Sequence, residues 1–326
     1  MKNNIVEVRN VEKRFKTYDV KGSGFFASMF GRRYYVKRAL KGVSFSIKEG
    51  DSVALLGKNG SGKSTIIKIM TGILYPDAGT VRVFGMDPWE MRKKVATNIG
   101  VVMGIHGQLY TDLPAIDTFG LMKSIYNIPD RQFNERLEYL LEVLELEKVY
   151  KRQVRTLSLG EQMKCNFVAS LLHNPKIVFL DEPTIGVDLS SKASLRNAID
   201  GIRKNNNTTF LLTTHMTEDI DVAERVIMLN EGKVIFDNSR EKLLKLFGDK
   251  RVIEFYFRNQ VKRDAYSKFG KVLKYEPTYM KMEVEGKTLK ENSFIKMLYD
   301  PNVIDYSVEQ PNIGDVILKL YKGKRR

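Results

Sequence analysis

Residues 57–65 read GKNGSGKST, and they complete VALLG at 53–57, a short apolar run typical of a buried strand. The stretch fits the pattern G-x-x-x-x-G-K-[ST], which requires a position between a strand and a helix. Glycine lets the backbone wrap closely round a polyphosphate, so that successive N–H groups and the positive end of the next helix point at it. The stretch therefore predicts a phosphate-binding loop made of Gly57, Lys58, Asn59, Gly60, Ser61, Gly62, Lys63, Ser64 and Thr65.

Four residues are predicted to carry the chemistry of this site. Lys63 is expected to reach the β and γ phosphate oxygens, and Ser64 to ligate Mg²⁺. A second buried run, IVFLDE at 177–182, ends in two carboxylates. We assign Asp181 to the metal and Glu182 to the base that accepts a proton from attacking water. An apolar run followed by Asp-Glu is often only a surface turn, so this assignment depends on the phosphate loop upstream.

Two domains are predicted from the alternation of apolar and amphipathic segments. Residues 1–238 read as an α/β domain on a mostly parallel sheet, with strands at 4–10 and 43–47. Helical spacing predicts a helix within 134–147, inside a helical subdomain at about 105–172, and a further helix at 217–223. Residues 239–326 read as a small α+β domain with a helical piece between the strands RVIEFYFR and KMEVEG.

Three more motifs stand in the order of the ATP-binding cassette (ABC) ATPases, which the chain resembles from residue 4 to about 236. LSLGE at 157–161 resembles the signature LSGGQ, TIGVD at 184–188 the D-loop, and His215 after LLTT the switch histidine. The run from GVVMG through QLYTDLP to LLHNPKIVFLDEPTIGVD is similar to export-type ABC ATPases that serve separately encoded membrane subunits.

The resemblance implies a P-loop ABC ATPase domain with a mostly parallel sheet, an antiparallel β part and a helical subdomain. It also implies a head-to-tail dimer, of two identical or two paired ATPase subunits, that encloses two ATP molecules and drives integral membrane permease subunits. Residues of one subunit would then contact the ATP of the other, namely Ser158, Gly160 and Asp188. The implied catalytic residues are Lys63, Glu182 and His215, with His215 holding the base and the water in line.

Some positions depart from the family pattern. Leu159 replaces the usual glycine and Glu161 the usual glutamine of the signature. The Q-loop glutamine, which in the family touches Mg²⁺ and senses the membrane subunit, is also displaced. We assign its place in the nucleotide and metal site to Gln108; an ordinary solvated glutamine is the alternative. Phe15 stands at the place of the aromatic residue that stacks on adenine, with Tyr18 as the second choice and a plain core role as the alternative.

The charge of the chain lies outside the catalytic centre. The net charge is +15, with +8 in residues 1–50, −1 in 51–239 and +8 in 240–326. An insertion is predicted at 16–37, whose aromatic and basic residues favour contact with anionic lipid or a membrane partner. Single-stranded nucleic acid and a solvated loop are the alternatives. Four basic residues are expected to lie outside the nucleotide site: Arg32, Arg33, Lys37 and Arg38.

The composition of the sequence indicates where in the cell the protein is expected to lie. One cysteine, Cys165, excludes an intrachain disulfide, and no run approaches the about 18–20 apolar residues of a membrane-spanning helix. With the resemblance, this predicts a peripheral subunit on the cytoplasmic face of the cell membrane. The rival is a soluble ABC-type ATPase that acts on nucleic acid or ribosomes. Such proteins usually carry two cassettes or a coiled-coil insertion, and this sequence shows neither.

Overall fold

The structure of the protein is a computed structural model that describes residues 3–18, 34–104, 107–216, 218–245 and 250–309. The chain divides into two units, Met1–Ser239 and Arg240–Arg326. This division lies one residue after the boundary predicted from the sequence.

The first unit contains strands and helices in alternation. Its strands are β1 (Asn4–Tyr18), β2 (Tyr34–Lys48), β3 (Ser52–Leu56), β4 (Ala78–Val83), β5 (Ile99–Met103), β6 (Ile177–Asp181), β7 (Thr209–Thr214), β8 (Arg225–Asn230) and β9 (Lys233–Ser239). Its helices are α1 (Lys63–Met70), α2 (Arg92–Ala96), α3 (Ala115–Ile125), α4 (Asp130–Leu144), α5 (Leu159–Leu171) and α6 (Leu189–Asn206).

A six-stranded sheet with the order β5-β6-β7-β3-β8-β9 forms the centre of this unit. Its strands are parallel except β9, which pairs antiparallel with β8. Every residue of β3 and β7 is buried, as expected where helices cover both faces of a parallel sheet. In register, Leu56 pairs with Thr214, and Asp181 pairs with Thr213. The phosphate loop, the two carboxylates and His215 therefore leave the sheet at one edge.

A three-stranded antiparallel sheet, β2-β1-β4, forms the antiparallel part. β1 and β2 make a long hairpin in which Phe15 faces Lys37 and Tyr18 faces Tyr34. The two predicted strands are thus longer than expected, and the prediction of an irregular insertion at 16–37 is wrong at both ends, because residues 16–18 and 34–37 belong to the hairpin. Residues 19–33 lie outside the described residues, including most of the predicted aromatic cluster.

Helices α3, α4 and α5 lie within the predicted helical subdomain. α4 has the predicted helical spacing, since it buries one face: Phe133, Leu137, Leu140, Leu141 and Leu144. The α-helix predicted at 217–223 is instead a short 3-10 helix, Glu218–Val222. Among the residues that the structure describes, no helix combines the length and the apolar composition needed to cross a bilayer.

The second unit is the small α+β domain that the sequence predicted. It contains α7 (Arg240–Lys245), β10 (Lys250–Phe257), β11 (Gly270–Glu276), β12 (Tyr279–Glu285), α8 (Asn292–Leu298) and β13 (Val303–Glu309). The strands form an antiparallel sheet with the order β11-β12-β10-β13, and alternate residues of β10 and β12 pack with α8 into one core. β11 was missed by the sequence analysis, which expected helix there. It lies at the edge of the sheet and most of its residues are exposed or half-buried, so its apolar signal is weak.

Candidate active site

A cavity of about 710 Å³ opens at the edge of the parallel sheet where β3 and β6 end. The β1–β2 hairpin, the phosphate loop with the start of α1, and the loops after β5 and β6 line it. The cavity brings Glu182, the predicted base, together with eight residues predicted to bind nucleotide or metal: Phe15, Asn59, Gly60, Gly62, Lys63, Ser64, Thr65 and Asp181. Three residues of the same loop are not among the lining residues, namely Gly57, Lys58 and Ser61.

The phosphate loop has the backbone that the glycine pattern predicts. Gly62 precedes α1 with φ 110°, and a Cβ there would stand 2.8 Å from the Ala39 carbonyl oxygen, so a larger residue would clash. No side chain caps α1, which leaves its first N–H groups open to an anion. The buried Ser61 hydroxyl also makes no hydrogen bond to any residue that the structure describes. These groups fit a polyphosphate.

Lys63, Glu182 and His215 form a continuous chain of contacts. The ammonium of Lys63, only 4% exposed, donates to the Gly57 carbonyl oxygen at 2.8 Å and lies 3.1 Å from Glu182 Oε1. The other oxygen of that carboxylate, Oε2, lies 3.2 Å from His215 Nδ1. Lys63 and His215, which come from two other segments of the chain, thus both contact the carboxylate of Glu182.

Glu182 has a backbone conformation that few non-glycine residues adopt. Its φ is 54°, in the left-handed region. Its N–H is held by the carbonyl oxygen of Thr213 at 3.1 Å and by the Thr213 hydroxyl at 3.0 Å. Such strain persists where neighbouring bonds fix it, and it is common at functional sites. The bonds from β7 thus turn this carboxylate towards Lys63 and His215.

Ser64 and Asp181 lie together where the metal ion was predicted. The Ser64 hydroxyl donates to Asp181 Oδ1 at 3.1 Å, and the Thr213 hydroxyl donates to the same oxygen at 2.6 Å. Among the described residues, no group of three or more His, Cys, Asp or Glu side chains could enclose a metal. A hydroxyl and one carboxylate suit Mg²⁺, which usually keeps water and takes further oxygens from phosphates.

Gln108 does not line this cavity. Its side-chain amide donates to the Val101 carbonyl oxygen at 2.6 Å, and its backbone N–H donates to Asn166 Oδ1 at 2.8 Å. Val101 lies in β5, two residues before the strand ends, so the glutamine is held back along the strand. The structure thus gives no contact between Gln108 and the other predicted metal ligands; Ile105 and His106 lie outside the described residues.

The hairpin contributes four residues to the cavity, namely Phe15, Thr17, Lys37 and Ala39. Phe15 was predicted, and its ring is 36% exposed with Lys13 Nζ at 5.9 Å from the ring centre. Lys37 was expected to lie outside the nucleotide site, and that expectation is wrong, because Lys37 lines the cavity. Arg38, the next residue, pairs instead with Glu12 at 3.1 Å. Alternation along β2 explains the difference, since successive side chains point to opposite faces.

The signature segment lies at the start of α5 and does not line this cavity. Ser158 Oγ accepts from the Glu161 N–H at 3.2 Å, and a carboxylate oxygen of Glu161 accepts from the Ser158 N–H at 2.7 Å. Glu161, which replaces the expected glutamine, therefore completes a capping box. Leu159, which replaces the expected glycine, packs on the D-loop, because a Cβ on Gly186 would stand 2.8 Å from its Cδ2.

Gly160 and Asp188 also meet here. A Cβ on Gly160 would stand 2.3 Å from Ser191 Oγ and 3.0 Å from Asp188 Oδ2, so this glycine allows α5 to approach α6 closely. Hydrogen bonds from the Ser190 hydroxyl and the Ser191 N–H hold the pKa of Asp188 well below its usual range. The structure thus brings together Ser158, Gly160 and Asp188, apart from the cavity that holds the other predicted residues.

Asp219 was missed by the sequence analysis. It is 2% exposed and accepts from the Thr184 hydroxyl at 2.5 Å and from the Thr214 hydroxyl at 2.7 Å. Thr184 follows Glu182 by two residues, and Thr214 precedes His215. The buried carboxylate thus joins the two segments that carry the base and the histidine, and no motif in the sequence marks it.

Comparison with known proteins gives the family. A family model described as ABC transporter matches residues 40–185. The daunorubicin resistance ATP-binding protein DrrA3 of Streptomyces coeruleorubidus is 32% identical over 226 residues, which cover 68% of this chain and 70% of that protein. This chain belongs to the family of ABC transporter ATP-binding proteins. ABC transporter G family member 20 of Dictyostelium discoideum is 29% identical over 72% of this chain, but the match covers 32% of that protein.

Solved structures agree with this membership. The ATP-binding cassette MJ0796, solved as a dimer in a post-hydrolysis state with ADP and phosphate, has a TM-score of 0.59 and is 25% identical. The match covers 72% of this chain and 98% of that chain. The predicted family and fold class are thus confirmed, and with them the class of enzyme, an ABC-type ATPase that binds ATP.

We expect Asp219→Ala to weaken both the fold and the site. Removing the carboxylate leaves two buried hydroxyl groups and Arg196, 3.6 Å away, without this partner, and should lower the free energy of unfolding by about 1–3 kcal/mol. ATP turnover should fall further than ATP binding, because Thr184 and Thr214 flank the base and the histidine. Urea unfolding and steady-state hydrolysis measure the two effects. The exposed Asp221 is the control, and an Asp219→Ala protein as stable and active as Asp221→Ala would contradict the role.

Proposed function

We propose that this chain is the nucleotide-binding subunit of an ABC exporter. It dimerises around two Mg-ATP, hydrolyses them and drives partner membrane subunits between inward and outward states. The DrrA3 relative carries drug resistance in its name, which supports an exporting partner rather than an importing one.

One observation carries the proposal. Lys63, Glu182 and His215 meet in a single chain of contacts at the phosphate loop, whereas Ser158, Gly160 and Asp188 meet at α5, outside the cavity that this loop lines. A site whose two halves lie apart on one chain suits a dimer in which each signature faces the other subunit's phosphate loop. Hydrolysis would then require two chains.

The residues of the chain divide the work of hydrolysis. Glu182 accepts the proton of the attacking water through its carboxylate, and His215 Nδ1, 3.2 Å away, fixes the orientation of that group. Lys63 places positive charge where the phosphate charge develops. Ser64 and Asp181 would hold Mg²⁺, which neutralises phosphate charge when bound. Phe15 would stack on the adenine ring.

The same proposal gives the location of the chain. Its membrane subunits would hold it peripherally on the cytoplasmic face of the cell membrane. The hairpin exposes Tyr34, Tyr35 and Val36, which follow Arg32 and Arg33 in the sequence. This composition supports contact with anionic lipid or with the membrane subunits. The net charge of +15 is the one feature that favours the rival ATPase that acts on nucleic acid or ribosomes, and the relatives named above do not support that rival.

We expect Glu182→Gln to retain ATP binding and to lose turnover. The amide keeps the shape of the side chain but cannot accept the proton, and a general base typically contributes about 100-fold or more. Calorimetric titration with ATP and a phosphate-release assay measure the two properties. Glu138→Gln, on an exposed position of α4, is the matched control. More than about a tenth of wild-type hydrolysis in Glu182→Gln would refute the base assignment.

We expect Ser158→Arg to stop hydrolysis without weakening ATP binding to its own chain, because the signature would serve the partner's nucleotide. Lys63→Ala should be inactive for a different reason, since its own phosphate loop is damaged. Mixing the two variants puts both lesions in one composite site and leaves the other site intact, so hydrolysis should partly return. A mixture as inactive as either variant alone rules out the composite arrangement.

A further inference from the structure

We propose that Lys37 is a second cationic contact for the nucleotide's phosphates, supplied by strand β2 rather than by the phosphate loop. The inference rests on the proposed function and adds a residue to its nucleotide site. The ligand chemistry is a polyphosphate, and the role is to bind and position it.

The geometry of the hairpin places Lys37 over the phosphate loop. Phe15 and Lys37 face each other across β1 and β2, so both side chains emerge on the same face of the hairpin, and both line the cavity. The ammonium of Lys37 lies 3.9 Å from the point where a Cβ on Gly60 would stand. Gly60 is in the middle of the phosphate loop. Phe15 provides an apolar surface in the same cavity.

The two lysines that line the cavity, Lys63 and Lys37, differ in the groups that their ammonium groups contact. Lys63 is buried and already contacts the Glu182 carboxylate at 3.1 Å. Lys37 is exposed, and its side-chain ammonium makes no ion pair or hydrogen bond to the residues that the structure describes. The neighbouring Arg38 pairs with Glu12, which also pairs with Arg14. Of the two lysines that line the cavity, Lys37 is therefore the one that an incoming phosphate meets without first breaking an ion pair.

This placement predicts that Lys37 contacts the phosphate groups of the nucleotide rather than its adenine ring. An ammonium near Gly60 reaches phosphate oxygens that lie on the loop, while the adenine ring belongs with Phe15. Loss of the Lys37 charge should then weaken the binding of ATP more than the binding of AMP. Because a hydrogen bond between charged groups contributes strongly, the expected loss in ATP affinity is about tenfold. Arginine should substitute for the lysine better than a neutral residue does.

The test compares Lys37→Gln, Lys37→Arg and Arg38→Gln in the full chain by calorimetric titration with ATP and with AMP. Arg38→Gln is the matched control, since it removes the same charge one residue away on the opposite face. We expect the ATP Kd to rise about tenfold in Lys37→Gln, less than threefold in Lys37→Arg and less than twofold in Arg38→Gln. The AMP Kd should change less than threefold in each variant, and the difference between the two Gln variants should shrink as salt is raised.

Two results would overturn the inference. Equal ATP affinity in Lys37→Gln and Arg38→Gln would show that the charge of Lys37 is not used. Equal weakening of ATP and AMP in Lys37→Gln would show a contact with the nucleoside rather than with the phosphates. Both results require a wild-type chain that binds ATP, so they are distinct from a failure of the proposed function, in which the wild-type chain itself does not bind ATP.

Discussion

The buried ammonium of Lys63 is the constraint on which the site depends. A charge that is only 4% exposed must be paired, and here the Gly57 carbonyl and the Glu182 carboxylate pair it. That pairing requires Glu182 to leave β6 in a left-handed conformation, which the backbone and hydroxyl of Thr213 hold. The parallel register of β3, β6 and β7 brings these groups to one edge of the sheet. The ends of these three strands thus determine where the side chains of the candidate site lie.

We propose that the same contact couples nucleotide binding to Glu182, the proposed base. A phosphate oxygen that reaches Lys63 Nζ competes with Glu182 Oε1 for it, and the carboxylate then keeps His215 as its nearest partner. The base is thereby freed from a cation when the phosphate arrives. Lys37 extends this arrangement, because a polyphosphate can be attracted by an unpaired cation before the buried pair opens. The two lysines act at different stages of one binding event.

Local motifs were predictable from the sequence and long-range contacts were not. The phosphate loop, α1 and the Asp181–Glu182 pair follow from short patterns, because glycine conformation and a buried strand end are local properties. Lys37 was misplaced, since the hairpin that turns it to the cavity extends beyond the strands that alternation revealed. Asp219 had no motif, because its role depends on two threonines from other segments. The side-chain amide of Gln108 donates to the backbone of β5, and residue spacing could not reveal this contact.

Our central proposal is that one chain carries two half-sites, which become a working site only when two chains meet. Its most direct test is the rate of ATP hydrolysis per chain of the wild-type protein, measured over a wide range of protein concentration beside sedimentation in the same buffer. We expect the rate per chain to rise with concentration and to level off where the protein sediments as a dimer. A constant rate per chain from a protein that sediments as a monomer with ATP present would contradict it.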